Sequence, residues 1–284
     1  MKRNLLMVLA LVLLISLVPV LTGCSSDDDD TNGNGGGNGD SGGVELSGNI
    51  SEAGSTSVQP LAEKMAAEFM GIHPKVRVTV SGGGSSAGVQ SCAKGMADIG
   101  AASRDVKITE PDLIPIAIAR DAVAIAVHPS NPVSELSLEQ VKKIYEGDIT
   151  NWSEVGGNDA GIVVISREEG SGTRDCFESK VTKEIKLDAL FFDSNGAVKT
   201  KVESEPDAIG FLSLGYVGNL KAVTLDGVDP SMENCRNGKY PILRRLYLLT
   251  RDVPDGAVKE FIDFCRSDEG QQIAETEGYI PLVK

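Results

Sequence analysis

The chain has 284 residues with 41 acidic and 27 basic side chains, a formal net charge of −14, which argues against nucleic acid as a partner because a polyanion needs a basic face. Two histidines and five cysteines without C-x-x-C spacing cannot complete a zinc set. A small anion is compatible with the acidic body, since a buried site of backbone N–H groups and one arginine acts locally, while surface charge is screened over about 10 Å.

Lys2 and Arg3 precede an apolar run from Leu5 to Val18, and Leu21-Thr22-Gly23 then leads directly into Cys24. This reads as a secretory signal over residues 1–23 ending in a lipobox, too short and too terminal for a spanning helix. Cys24 is then expected to become the first mature residue and to carry lipid, anchoring the protein to the outer face of a membrane. Residues 24–43 hold five aspartates and seven glycines, a composition that buries no apolar surface and predicts a flexible, self-repelling tether. With the signal and the tether aspartates set aside, residues 44–284 keep a charge of −11. Their length suits one large or two modest domains.

The folded part alternates strand and helix patterns. Leu61, Met65 and Phe69, spaced by four behind Pro60, predict an amphipathic helix. Val76, Val78 and Val80 alternate as in a half-buried strand. A short strand is expected near Asp98 to Ala101, followed by two interior strands, Leu113 to Ala119 and Ala122 to His128. Ser137 caps a predicted helix to Tyr145, and Ile162 to Ile165 forms a strand. Ile209 to Leu212 and Tyr247 to Leu249 read as further strands, and Val258 to Glu277 as helix. Repeated βα units without an internal sequence repeat give an α/β protein.

Ser166-Arg167-Glu168-Glu169-Gly170-Ser171-Gly172-Thr173-Arg174 stands between the Ile162 strand and an amphipathic segment. A helix starting there turns its unpaired N–H groups and the positive end of its dipole toward the turn, and Arg167 adds a planar charged fork suited to a tetrahedral oxyanion. Gly54-Ser55-Thr56-Ser57, Gly82-Gly83-Gly84-Ser85-Ser86-Ala87-Gly88 and Ala101-Ala102-Ser103-Arg104 are similar strand ends rich in hydroxyls and glycine. Each alone is ordinary loop chemistry. Together they supply enough donors to line one cleft.

These four segments, with Asp148-Ile149-Thr150-Asn151-Trp152, Ala208-Ile209-Gly210-Phe211 and Glu277-Gly278-Tyr279-Ile280-Pro281-Leu282, resemble in order the signatures of the phosphate-binding proteins of ABC transporters, the PstS family. The resemblance implies a two-lobed periplasmic-binding-protein fold, each lobe a sheet flanked by helices, with residues 44–124 and 244–284 in lobe 1 and residues 125–243 in lobe 2. Hinge crossings are expected near Ala122 to His128 and Arg244 to Leu249. The family's phosphate contacts fall on Thr56, Ser57, Ser85, Ser103, Arg167, Ser171, Gly172 and Thr173, with Ser57 and Gly172 expected to offer N–H groups. The implied protein is an extracytoplasmic monomer that needs no cofactor, binds inorganic phosphate and delivers it to the membrane permease subunits of an importer. Receptors for sulfate, molybdate or tungstate, and a tethered phosphate sensor, are related alternatives.

Some members of the family carry an aspartate where this chain has Ser103. An aspartate accepts a hydrogen bond from protonated phosphate and repels fully ionised sulfate, so its absence moves discrimination elsewhere, with Glu169 the nearest acid in sequence. Gly84-Ser85-Ser86-Ala87-Gly88 also fits the nucleophile elbow of a serine hydrolase built on Ser86. That reading lacks a suitably placed histidine, because His73 precedes Ser86 and His128 follows closely. Cys92, Cys176, Cys235 and Cys265 are expected as buried free thiols, with Cys235 and Cys265 the one pair worth considering as a disulfide.

Overall fold

The structure, a computed structural model, describes residues 45–282. The predicted signal, Cys24 and the whole tether lie outside the described residues. The chain begins with β1 (Gly48–Gly54), α1 (Gln59–Ile72), β2 (Val76–Ser81), α2 (Ser85–Ala93), β3 (Ile99–Ala102) and the 14-residue β4 (Ile114–Val127). Then come β5 (Glu135–Leu136), α3 (Leu138–Glu146), β6 (Val163–Arg167), α4 (Gly172–Lys180), β7 (Leu190–Phe192) and α5 (Asn195–Ser204). β8 (Ala208–Ser213), β9 (Lys221–Ala222), β10 (Thr224–Leu225), α6 (Met232–Arg236), β11 (Leu243–Thr250), α7 (Gly256–Arg266) and α8 (Asp268–Thr276) complete the fold.

Among the described residues, one sheet runs in the order β2-β1-β3-β11-β4-β8-β6-β7, with β9 beside β4. β1 pairs in parallel with β2 and β3, and β6 with β7 and β8, whereas β11 and β4 pair antiparallel with their neighbours. β4 changes partner along its length: residues to Ala122 face β11, and Val123 onward faces β8. One apolar cluster gathers Ile50, Leu61, Met65, Phe69, Leu246 and Phe261. A second gathers Val127, Tyr145, Trp152, Phe177 and Phe211, where the Phe177 and Phe211 rings stack with centroids 4.2 Å apart.

The predicted helical stripe of Leu61, Met65 and Phe69 is buried in α1. Ser137 caps α3 in a reciprocal capping box with Gln140. Two expectations are corrected. The strands predicted at Leu113 to Ala119 and Ala122 to His128 are one strand, because the intervening charges find partners: Asp121 pairs with Arg244 on β11, and Arg120 donates to the carbonyls of Cys235 and Arg236. The helix predicted over Val258 to Glu277 breaks at Ser267, whose extended backbone (φ −67°, ψ 169°) and hydroxyl, accepting from the Gly270 N–H, cap α8.

Cys92, Cys176, Cys235 and Cys265 are buried free thiols. Cys235 and Cys265 lie in different apolar clusters. Burial raises the Cys235 thiol pKa to about 11.

Candidate anion-binding site

Each sequence-predicted turn stands at a strand end that feeds a helix or loop. β1 ends at Gly54 and passes through Ser55 to Val58 into α1, while Ser85 opens α2 and Ser103 follows β3. Arg167 ends β6, and Gly172 opens α4 behind its N-cap Ser171. Helix α2 is held close to the sheet by missing side chains. A Cβ on Gly88 would stand 2.5 Å from the Ala101 carbonyl oxygen, and one on Gly54 would stand 2.2 Å from the same atom.

All eight predicted residues converge. Thr56 is 8% exposed, the most open of the seven with side chains. The Ser57 and Thr173 hydroxyls lie 3.1 Å apart, and those of Ser85 and Ser103 3.3 Å apart. The Ser103 N–H donates to Ser85 Oγ at 3.1 Å. Gly172 stands between the two sides, where a Cβ would lie 2.4 Å from Ser85 Oγ and 2.6 Å from Ser103 Oγ. Gly172 and Thr173 occupy the first turn of α4, where N–H groups have no intrahelical acceptor. Ser171 Oγ accepts the Arg174 N–H and so caps α4, leaving the Gly172 and Thr173 N–H groups as the free donors of the first turn. The Ser57 role changes: its N–H is taken by Ser55 Oγ at 3.2 Å, and it presents its hydroxyl instead.

Arg167 is 1% exposed and grips Glu168 with both prongs, Nε to Oε2 at 2.9 Å and Nη2 to Oε1 at 3.0 Å. Its guanidinium also reaches Thr173 Oγ1 and Thr56 Oγ1, each at 3.5 Å, the outer limit of a hydrogen bond. Burial lowers the Arg167 pKa, and the Glu168 carboxylate opposes that shift.

Sequence reasoning misses two central residues. Arg244 on β11 donates through Nη2 to Ser57 Oγ at 2.7 Å, and through Nη1 to Thr173 Oγ1 at 2.9 Å and Ser103 Oγ at 3.2 Å. Its Nε and Nη2 also hold Asp121 Oδ2, at 2.9 and 2.6 Å, in an ion pair whose carboxylate side chain is wholly buried. Asn195, first residue of α5, donates to Ser57 Oγ at 2.8 Å and Thr56 Oγ1 at 3.2 Å. Both are polar residues in otherwise unremarkable segments. The available signal was a charged pair inside each of two apolar strands, Arg120-Asp121 and Arg244-Arg245.

The remaining candidates fall away from the cluster. Glu169 is exposed and is not positioned as the discriminating acid. The Ser86 hydroxyl accepts from Arg104 Nη2 at 2.8 Å, while His128 engages Ser130 and His73 packs on Phe69. Neither histidine is therefore the partner of Ser86. Arg104 instead spans the cluster's two sides, pairing with Glu110 at 2.6 Å and with Asp175 of α4 at 2.7 Å.

Strand-end hydroxyls and helix starts converging on two buried arginines make a constellation whose donors suit a tetrahedral oxyanion. Consistent with this, residues 39–269 match the PBP superfamily domain. The chain is 31% identical to the phosphate-binding protein PstS of Bacillus subtilis over all of this chain and 96% of that one. It therefore belongs to the PstS family. Among solved structures, a Clostridium perfringens protein described as a phosphate ABC transporter substrate-binding protein with bound phosphate is 40% identical, with a TM-score of 0.81 over 83% of this chain and 100% of that one. An ABC-type phosphate transport receptor from Vibrio cholerae is 37% identical, with a TM-score of 0.69 over 82% of this chain and 100% of that one.

Proposed function

We propose that this chain is a binding protein that captures inorganic phosphate in the cluster of Thr56, Ser57, Ser85, Ser103, Arg167, Ser171, Gly172 and Thr173 and delivers it to an ABC importer. The observation that carries this is convergence: hydroxyls from three early turns meet Arg167, Gly172 and Thr173 from a segment far along the chain. Arg244 and Asn195 join the eight as donors. Two lobes, residues 44–124 with 244–284 and residues 125–243, close on the anion as a hinge. The partner change of β4 at Ala122 and Val123 supports this division, as do the two large apolar clusters.

Among the described residues no helix is long and apolar enough to cross a membrane. Membrane attachment through lipid on Cys24 is the reading that the N-terminal sequence supports, with the mature protein acting as a monomer outside the cytoplasm. Mass spectrometry of the mature N-terminus tests the lipid, and an unmodified Cys24 rejects it.

Discrimination against sulfate falls to Asp121. Its Oδ2 is engaged by Arg244, while its Oδ1 is buried without a hydrogen-bond partner among the described residues, leaving an acceptor for a protonated phosphate oxygen. Competition titration of the purified protein with phosphate, sulfate and arsenate tests both readings. Saturable phosphate binding that sulfate does not displace is expected, and preference for sulfate or molybdate overturns the function. Asp121→Asn is expected to lose at least about tenfold in phosphate-over-sulfate selectivity, since a neutral amide accepts less strongly from the phosphate O–H and no longer repels the lone pairs of an oxyanion that lacks one; unchanged selectivity removes Asp121 from the role.

A further inference from the structure

Beside the cluster lies a cavity of about 580 Å³, walled by the segment after β3, by β4 and β11, and by the flank of α4. Five cations line it: Arg104, Arg120, Lys180, Arg244 and Arg245. Asp105 and Asp175 are the carboxylates on the same wall. A positive cavity in a chain of net charge −14 runs against the rest of the composition.

Two of the cations are neutralised. Arg104 is paired with Glu110 and Asp175, and Arg244 with Asp121. Asp175 also takes Lys107 at 2.9 Å. Arg120, Lys180 and Arg245 have no ion-pair partner within 4.0 Å among the described residues. Arg245 is hydrogen-bonded to the Tyr247 side chain, whose hydroxyl donates to Asp105 at 2.7 Å, and Asp105 acts on Arg245 at longer range. The Arg120 guanidinium rests on two carbonyls, and its Nε is buried without a hydrogen-bond partner.

The register sharpens the point. Arg245 of β11 stands directly opposite Arg120 of β4, and like charges in directly opposed positions destabilise an antiparallel pair. A fold tolerates such a pair more easily where an anion visits. The wall also joins the cavity to the cluster, because the Arg244 guanidinium that lines the cavity donates to Ser57, Ser103 and Thr173.

We infer that this cavity is an outer oxyanion position, a vestibule that gathers phosphate and passes it along Arg244 to the buried cluster. The inference rests on the phosphate reading above. A cleft lined by one sign of charge concentrates the opposite ion and raises its association rate, an effect that salt suppresses. The vestibule cations set the rate of capture, whereas the cluster sets retention.

Stopped-flow binding of inorganic phosphate to the intact mature protein, at low and high salt, tests this. Lys180→Gln combined with Arg245→Gln changes two exposed side chains and leaves the cluster intact. The double variant is expected to bind phosphate about 3- to 10-fold more slowly at low salt, with a shallower salt dependence and an unchanged dissociation rate. High salt should erase the difference from the parent protein. Lys94→Gln with Lys239→Gln removes the same charge from exposed positions outside the cavity and should leave the association rate near that of the parent. Equal slowing in both double variants, or an unchanged association rate in the first, overturns the vestibule. Absence of phosphate binding by the parent protein instead overturns the functional reading itself.

Discussion

The hydroxyl cluster and the cavity beside it use arginine in opposite ways. In the cluster, Arg167 and Arg244 are nearly inaccessible and each is matched by a carboxylate, Glu168 or Asp121. In the cavity, Arg120, Lys180 and Arg245 lack such partners. Buried charge is tolerable only when compensated, because desolvation of an isolated ion outweighs what a neutral surrounding returns. The compensated arginines therefore act as oriented donors, with little net charge to offer at a distance, while the uncompensated ones, bonded only to neutral groups, keep their charge to project as a field. One region is built for equilibrium, the other for kinetics.

The strongest way to break this division is steric. Gly172→Val places a branched side chain where a Cβ alone would approach Ser85 Oγ to 2.4 Å, forcing the two sides of the cluster apart. Phosphate affinity should fall by more than about 10³-fold by calorimetry, while the cavity charge is untouched. Retention of affinity within tenfold would show that the cluster does not bind across Gly172.

Arg244→Gln cuts the residue the two regions share. It removes three hydroxyl contacts and leaves Asp121 buried without its counter-ion, a loss of about 3 kcal/mol in stability. Thermal unfolding should begin roughly 6 to 12 °C lower, and phosphate binding should weaken by on the order of 10²-fold. A normal melting temperature would mean that Asp121 is not dependent on this pair.

Glu52 sharpens the comparison with the smallest effect, as a buried charge site that has no partner. Both of its carboxyl oxygens lack hydrogen bonds among the described residues, and burial, reinforced by Glu63, raises its pKa from 4.5 to about 8. The folded state therefore holds a proton that the unfolded chain releases above pH 4.5, so this residue makes stability fall as pH rises from 4.5 to about 8 and contributes no further change above that. In Glu52→Gln that slope should vanish, narrowing the loss of melting temperature between pH 6 and pH 9 by on the order of 5 °C. An identical slope in the variant assigns the pH dependence to other groups.

The turns were legible in the sequence because their chemistry is local. A glycine-rich strand end followed by Ser or Thr at a helix start carries its donors in the order written, and Thr56, Ser85, Ser171 and Thr173 could be read directly. Arg244 and Asn195 were not legible, since their roles depend on β11 crossing against β3 and β4 and on α5 docking behind the first turn. Glu169 misled for the same reason: adjacency in sequence says little across a turn, where Glu168 faces Arg167 and its neighbour faces solvent. From sequence the run from Leu113 to His128 divides into two strands, because Arg120-Asp121 resembles a polar break until the opposing Arg244-Arg245 is in place.

That late-arriving partner has a consequence for the order of synthesis. β3 and the first part of β4 are neighbours of β11, not of each other, and α7 and α8 cover the same apolar cluster. A chain emerging from its N-terminus thus makes β1 to β4 well before the strand that must be inserted between β3 and β4. Until Leu243–Thr250 arrives, the early half keeps two unpaired edges and an uncovered apolar face. Completion of the part of the sheet that holds β1 to β4 is thereby deferred until the chain is nearly complete.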